Sequence, residues 1–327
     1  MKAIVQTTYG NEPEAVLGVA EVPQPDLEPD KVLVKIAAAS VDRGTWHLLA
    51  GRPELMRLMG FGLRAPKALN PGRSFAGTIV KVGGNVTTFQ PDDEVYGTCD
   101  GAFAEYATAE VDKVSRKPGN LSFEQAAAVP VSAVTALQAV RDEAKLQPGQ
   151  RVLIIGASGG VGTFLVQLVK AFGCGHVTAV ASPAKLDLVQ ALGADQVVDY
   201  SREDFADGVR TYDVILDTGG NRALSDVRRA LAPRGTLVIV GGETEGRWLG
   251  GFARNMRVML LAPFARGQRL RSLASSENAT DLDAVSELIE AGRLAPVIDR
   301  SYPLSETAAA IRHLMDGHAR GKVVVTT

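Results

Sequence analysis

The sequence predicts an α/β protein built in two parts, a β-rich antiparallel half followed by a doubly wound parallel sheet. Three observations carry that reading. Residues 1 to about 120 hold short β-branched runs that alternate in the strand manner between turn formers. From Gln147 onward, strand-like and helix-like segments take turns. A glycine-rich turn, GASGGVG, joins the first of those strands to the first of those helices.

Taken in order, the first half reads as strands at Lys31–Ala37 (KVLVKIA), Gly77–Gly83 (GTIVKVG) and Asp93–Gly97 (DEVYG), which suit a partly barrelled antiparallel domain. Thr45 to Lys67 breaks the pattern: its Leu, Met, Phe, Gly and Pro follow no clean period, so it reads as short helices or a long loop of the kind that carries function. At Leu121 the texture changes. Ser122 can cap a helix, Gln125 completes the capping-box spacing, and Pro130 should kink or divide the helical stretch that runs to about Ala144. Then follow strand Arg151–Ile155, helix Val161–Phe172, strand Val177–Ala181, helix Ala184–Leu192, strand Gln196–Val198, strand Val214–Asp217, helix Arg222–Leu231 and strand Thr236–Val240. Arg257–Ala262 (RVMLLA) reads as a sixth strand at the sheet edge. Helices near Leu282–Ala291 and Glu306–Met315 precede a last strand, Lys322–Val325.

Length and composition agree with two domains. The chain has 327 residues, about twice the ~150 that serve as a prior for one domain. Hydrophobic residues make up 46% and charged residues 22%, a globular balance rather than a disordered one. Lys plus Arg number 35 against 37 for Asp plus Glu, a net charge of −2 without the positive surplus of nucleic-acid binders. Cys99 and Cys174 are the two cysteines, too few for a disulfide framework or a four-thiolate zinc lobe, and they fit a reducing compartment. No run approaches the ~18 apolar residues of a membrane span. The expectation is a cytoplasmic protein acting on a small molecule, with neither nucleic acid nor membrane as partner.

The strand RVLII runs straight into GASGGVG and then into an apolar helix. Glycines at such a turn let the backbone approach a pyrophosphate, which the helix N-terminus favours through free N–H groups and the positive end of its dipole. Ala157 holds the place of the first glycine of G-x-G-x-x-G, while Gly159 and Gly162 hold the second and third, so Ala157, Ser158, Gly159, Gly160, Val161 and Gly162 are the expected phosphate cradle. The end of the next strand selects the cofactor. An NAD site places a carboxylate there for the ribose hydroxyls, and that charge repels a 2′-phosphate. This chain has Ala181, Ser182, Pro183, Ala184 and Lys185 instead. Ser-Pro is an ordinary helix start, but a cation in a first helical turn opposes the dipole unless an anion sits there, which points to NADPH.

Together, MKAIVQTTYG, PGRSFAGTIVKVGGNVTTFQPDDEVYG (71–97), GAFAEYA (101–107), AAAVPVSAVTAL (126–137), GASGGVG and LGADQVVDY (192–200) resemble the medium-chain dehydrogenase/reductase superfamily, in its zinc-independent quinone-oxidoreductase-like branch. The resemblance covers essentially the whole chain. It implies a GroES-like substrate domain over residues 1–125, completed by 264–327, and a Rossmann-like NADP(H)-binding domain over 126–263. It further implies that Ser182, Lys185 and Tyr200 hold the adenosine 2′-phosphate, that Thr135 lies beside the nicotinamide, and that Gly241 and Gly242 end the strand under which its carboxamide lies. Where zinc-dependent relatives carry Cys, His and Cys, this chain matches Asp42, Arg73 and Val131. Val cannot coordinate and Arg stays protonated, so no metal is expected.

Reduction of a quinone or an α,β-unsaturated carbonyl asks little of side chains, since the cofactor brings the hydride and the protein supplies orientation and charge stabilisation. The expected catalytic set is Asp42, Arg43, Thr45 and His47, with Trp46 beside them. Arg43 or a backbone N–H would hold an enolate oxygen, and His47 or water would supply the proton. Two alternatives stand: an aldehyde or ketone reductase of the alcohol-dehydrogenase type, and an NADPH-bound scaffold with little turnover. A homodimer is expected from the apolar edge at Arg257–Ala262.

Overall fold

The computed structural model describes residues 1–220, 222–241, 248 and 250–327. It opens with an antiparallel ribbon of β1 (Lys2–Gln6) and β2 (Leu17–Glu21) around the short helix α1 (Pro13–Val16). Then come β3 (Lys31–Val41), α2 (Arg43–Ala50), β4 (Ser74–Val82), β5 (Glu94–Thr98), β6 (Tyr106–Glu110) and β7 (Val114–Arg116). Two helices follow, α3 (Phe123–Ala127) and α4 (Pro130–Gln138). The alternating half runs β8 (Arg151–Ile155), α5 (Gly160–Ala171), β9 (His176–Ala181), α6 (Leu186–Ala191), β10 (Gln196–Asp199), β11 (Tyr212–Asp217), α7 (Leu224–Arg229), β12 (Leu231–Ile239), α8 (Phe252–Leu261) and β13 (Arg269–Ser272). The chain closes with α9 (Ala279–Glu290), β14 (Ile298–Pro303), α10 (Thr307–Met315) and β15 (Lys322–Thr326).

Contacts divide the chain into two compact units, Met1–Val134 with Glu277–Thr327, and Thr135–Ser276. The first holds a seven-stranded sheet in the order β14-β15-β3-β4-β5-β7, with β6 also on β3. Its pairings are antiparallel except β14 on β15. β3 is long enough to hold two partners along one edge, and its alternating apolar residues enter a core with Phe75, Ile79, Phe103 and Val325. The terminal strand β15 pairs with β3, so the end of the chain completes the fold of its beginning.

The second unit is a six-stranded, all-parallel sheet in the order β10-β9-β8-β11-β12-β13. Its central strands are near-continuous apolar runs because helices cover both faces. The chain leaves β8 toward β9 and β10 on one side and returns to build β11, β12 and β13 on the other. The carboxyl ends of β8 and β11 therefore flank the topological switch point, where open α/β sheets bind ligands.

Two local outcomes refine the expectations. Ser122 and Gln125 form a reciprocal capping box, Oγ accepting from the Gln125 N–H at 3.2 Å and Oε1 from the Ser122 N–H at 3.0 Å, and α4 starts at Pro130 as a new helix. Within Thr45–Lys67 the structure is α2 and a single wide helical turn, Arg57–Phe61, broken by Gly60 and Gly62 at φ 111° each. One expectation fails. Arg257–Ala262 is not a strand: it lies in and just past α8, and the sixth strand is Arg269–Ser272. A short apolar run is ambiguous by period alone. Here Arg254, Val258 and Ala265 are buried while Met256, Met259 and Leu260 face outward, a helical spacing rather than alternation.

Candidate active site

At the end of β8, Gly156 turns with φ 79°, and Gly159 caps α5. The N–H groups of Gly160, Val161 and Gly162 fill the first turn and have no intrahelical acceptor. Two of the glycines are required by contact. A Cβ on Gly162 would stand 2.2 Å from the Gly156 carbonyl oxygen, and one on Gly156 would stand 2.4 Å from Thr218 Oγ1. Gly159 is different, because a Cβ there would meet nothing nearer than 3.6 Å and would project into the space above the turn. Ala157 and Ser158 are buried under the loop, Ala157 donating its N–H to the Val180 carbonyl. This is a cradle that a pyrophosphate fits: open N–H groups, no side chain in the way and a helix dipole behind it.

Ser182 follows β9, and its carbonyl accepts from the Lys185 N–H at 2.9 Å in a tight turn opened by Pro183. Lys185 closes that turn and caps α6, so its charge lies at a helix start as expected. Tyr200 is exposed just past β10, beside Asp199, whose carboxylate is turned away onto the Ser201 N–H and hydroxyl. Thr135 donates to Ser275 Oγ at 3.0 Å, and Gln138, one turn on, is held by Ser276 at both ends of its amide. Gly241 donates its N–H to the Asp217 carbonyl. Gly242 lies outside the described residues.

Sequence reasoning missed the support on the β11 side of the switch point. Asp217 is fully buried at the end of β11 and accepts from the N–H groups of Gly219 and Gly220 at 3.1 and 2.9 Å. Arg254, from α8, pairs with the other carboxylate oxygen and also donates to the Gly220 carbonyl. Burial pushes the Asp217 carboxyl up, and Arg254 pulls it back. Thr218 donates to the Ile155 carbonyl at 2.8 Å, tying this loop to the end of β8. No motif announces Asp217 or Arg254, since they are 37 residues apart and meet through the fold.

In the first unit, Asp42 is the N-cap of α2, and its N–H donates to Thr45 Oγ1 at 3.2 Å. Its carboxylate does not face solvent. Ser74 donates to Oδ2 at 3.0 Å, Ser132 donates to Oδ1 at 3.2 Å, and the Lys322 ammonium pairs with Oδ1. His47 sits one turn along α2, its Nδ1 2.9 Å from the Arg52 carbonyl and its ring edge-on to Trp46. It lines a cavity of about 240 Å³ with Phe61, Lys67, Asn70 and Arg73. Arg43 opens α2. Cys99 is buried and its thiol is pushed up by desolvation, so it is a packing residue and no nucleophile.

The residues at the zinc-matched positions do not fit a metal. Both oxygens of Asp42 are occupied by an ammonium and two hydroxyls, Arg73 is a permanent cation facing Asp100 and Glu277, and Val131 has no donor atom.

Residues 28–119 match the alcohol dehydrogenase GroES-like domain family, and residues 192–325 match the zinc-binding dehydrogenase family. The "NAD(P)H oxidoreductase RTN4IP1, mitochondrial" of Mus musculus is 34% identical over 91% of this chain and 82% of its own length. The "2-methylene-furan-3-one reductase" of Solanum lycopersicum is 32% identical over 99% of this chain and 79% of its own. Among solved structures, the quinone oxidoreductase from Coxiella burnetii superposes with a TM-score of 0.86 at 29% identity, over 100% of this chain and 99% of that one. The chain belongs to the medium-chain dehydrogenase/reductase superfamily, in its quinone-oxidoreductase-like branch. It is an oxidoreductase, and its cofactor is NADPH.

Proposed function

We propose that the chain reduces the activated double bond of a quinone or an α,β-unsaturated carbonyl without a metal ion. One observation carries this: the carboxylate at the first zinc-matched position is neutralised by an ammonium of the same chain, in a protein whose glycine turn at Gly156–Gly162 leaves room for a pyrophosphate. The tomato relative's name describes an enone substrate, and the Coxiella neighbour's a quinone, in agreement with that chemistry.

NADPH, when bound, supplies the hydride. The chain's own groups do the rest. The N–H groups of Gly160 to Gly162 and the α5 dipole hold the pyrophosphate, and Ser182, Lys185 and Tyr200 hold the 2′-phosphate. Thr135 and Gly241 hold the nicotinamide end. Asp42 and Thr45 fix the first turn of α2, Arg43 stabilises enolate charge, and His47 or a water delivers the proton. A ketone or aldehyde reductase would need a Lewis or Brønsted acid on the carbonyl, which an already neutralised Asp42 does not supply. On this reading the unit Met1–Val134 with Glu277–Thr327 is the substrate domain and Thr135–Ser276 the cofactor domain, so the expected boundaries at 125 and 264 move to 134 and 277, since β13 belongs to the parallel sheet. Free Cys99 and Cys174 suit a reducing cytoplasmic setting, and among the described residues no helix is long and apolar enough to cross a membrane.

The test is NADPH oxidation against 1,4-benzoquinone and methyl vinyl ketone, with and without a chelator, alongside elemental analysis of the purified protein. We expect turnover that a chelator leaves untouched and less than stoichiometric zinc. One tightly bound zinc per chain, or turnover lost to the chelator, overturns the metal-free reading.

A further inference from the structure

Lys322 lies at the start of the last strand, is 2% exposed, and has its ammonium on Asp42 Oδ1 and 3.1 Å from Ser132 Oγ. Lysine is among the residues least often fully buried, and an ammonium leaves water only for strong compensation. Here the compensation is specific. β3 ends at Val41 beside β15, so the pairing of Val323 with Val41 sets Lys322 next to Asp42 across the sheet. Ser74 reaches the same carboxylate from β4 and Ser132 from α4, so groups from three distant segments converge on one N-cap residue. Its helix, α2, carries Arg43, Thr45, Trp46 and His47 in its first turn and a half.

We propose that Lys322 is a positioning residue for hydride transfer: from the terminal strand its ammonium holds the Asp42 side chain at a fixed place, and so orients the first turn of α2. In a site without a metal, the ammonium is the fixed positive charge around which the substrate-side groups are arranged. The inference rests on reading α2 as the substrate side of a reductase, and its test is built to fail separately from that reading. A structural staple would cost stability alone. A positioning charge must also govern turnover and its pH dependence, because an unpartnered buried carboxylate takes up a proton or pulls in water.

The experiment compares Lys322→Met, Lys322→Arg and the double variant Lys322→Met/Asp42→Asn, which removes both charges. Kinetics with NADPH and methyl vinyl ketone are followed from about pH 5.5 to about 9. In a Trp248→Phe background, Trp46 is the one remaining tryptophan and reports on α2 without any need for turnover. We expect Lys322→Met to lower kcat/KM for the enone about 100-fold at neutral pH, as misplacement of a site by about 1 Å does, and to recover part of it in acid. The KM for NADPH should stay within about twofold, since the cofactor cradle belongs to the other unit. Trp46 emission should shift in Lys322→Met and return in the double variant, with kcat/KM regaining at least about tenfold as the lone charge disappears. Lys322→Arg should fall between wild type and Lys322→Met. If Lys322→Met lowers Tm while kcat/KM, pH profile and Trp46 emission stay as in wild type, the proposal is wrong and Lys322 is a staple. If the double variant restores neither emission nor turnover, it is wrong as well. If the wild type itself consumes no NADPH with enones or quinones, the reductase reading falls, and the Trp46 comparison still decides whether Lys322 orients α2.

Discussion

Lys185 is proposed to distinguish two cofactors that differ by one phosphate. Ala181 stands at the strand end where a carboxylate would serve NADH, and Lys185 brings a cation to the helix start that follows. A charge-assisted hydrogen bond contributes ~1.5–3 kcal/mol, so Lys185→Ala should weaken NADPH about ten- to a hundredfold and leave NADH nearly unchanged. Fluorescence titration with both cofactors measures this, and equal losses would remove Lys185 from the phosphate site. Gly162 illustrates a different constraint at the same scale. Its lack of a Cβ is dictated by the Gly156 carbonyl 2.2 Å from where that carbon would be, a packing requirement that precedes any ligand.

Among the elements, the crossover after β11 depends on a helix that arrives much later in the chain. Arg254 on α8 and Asp217 on β11 are 7% and 1% exposed, and both Gly219 and Gly220 hang their N–H groups on the same carboxylate. Removing one partner of such a pair leaves a buried charge and costs about 3–5 kcal/mol. Arg254→Met should therefore lower the free energy of unfolding measured in urea by that amount and loosen NADPH binding, because the loop beside the cradle loses its anchor. Asp217→Asn keeps the acceptor for Gly219 and Gly220 and should retain more cofactor affinity than Arg254→Met. Equal affinities in the two variants and the wild type would confine the pair to stability. The α2 cap follows the same logic in the other unit, with Lys322 as its late-arriving partner.

For the whole molecule, the open question is assembly, and the helical assignment of Arg257–Ala262 changes its basis. The sheet edge is β13, a short polar strand, and the apolar surface beside it belongs to α8 and the turn after it, where Met256, Met259, Leu260 and Phe264 are 50%, 68%, 70% and 77% exposed. An exposed patch of that kind beside an unpaired edge supports a homodimer formed across a two-fold axis. Light scattering at micromolar concentration should return twice the 34.5 kDa of one chain. Met259→Lys should shift it toward that single mass, because it would bury a charge on each side. A wild-type mass near one chain would end the idea.

Much of this protein was determined by local sequence. β8 coincides with the expected RVLII, and α5 begins one residue before its expected start, because β-branched runs, glycine turns and capping residues act within a few positions of themselves. The phosphate cradle was legible for the same reason: its contacts join Gly156 to Gly162 over one turn of chain. RVMLLA reads as a strand because its five apolar residues fit a buried strand and a half-exposed helix equally well, and only the packing of Arg254, Val258 and Ala265 selects between them. The sequence singles out Asp42 through its match to a zinc-ligand position, yet nothing near it announces that Lys322, 280 residues away, neutralises it. Tertiary structure alone decided that pairing, since charge neutralisation depends on distance through space, and the β3–β15 register sets that distance.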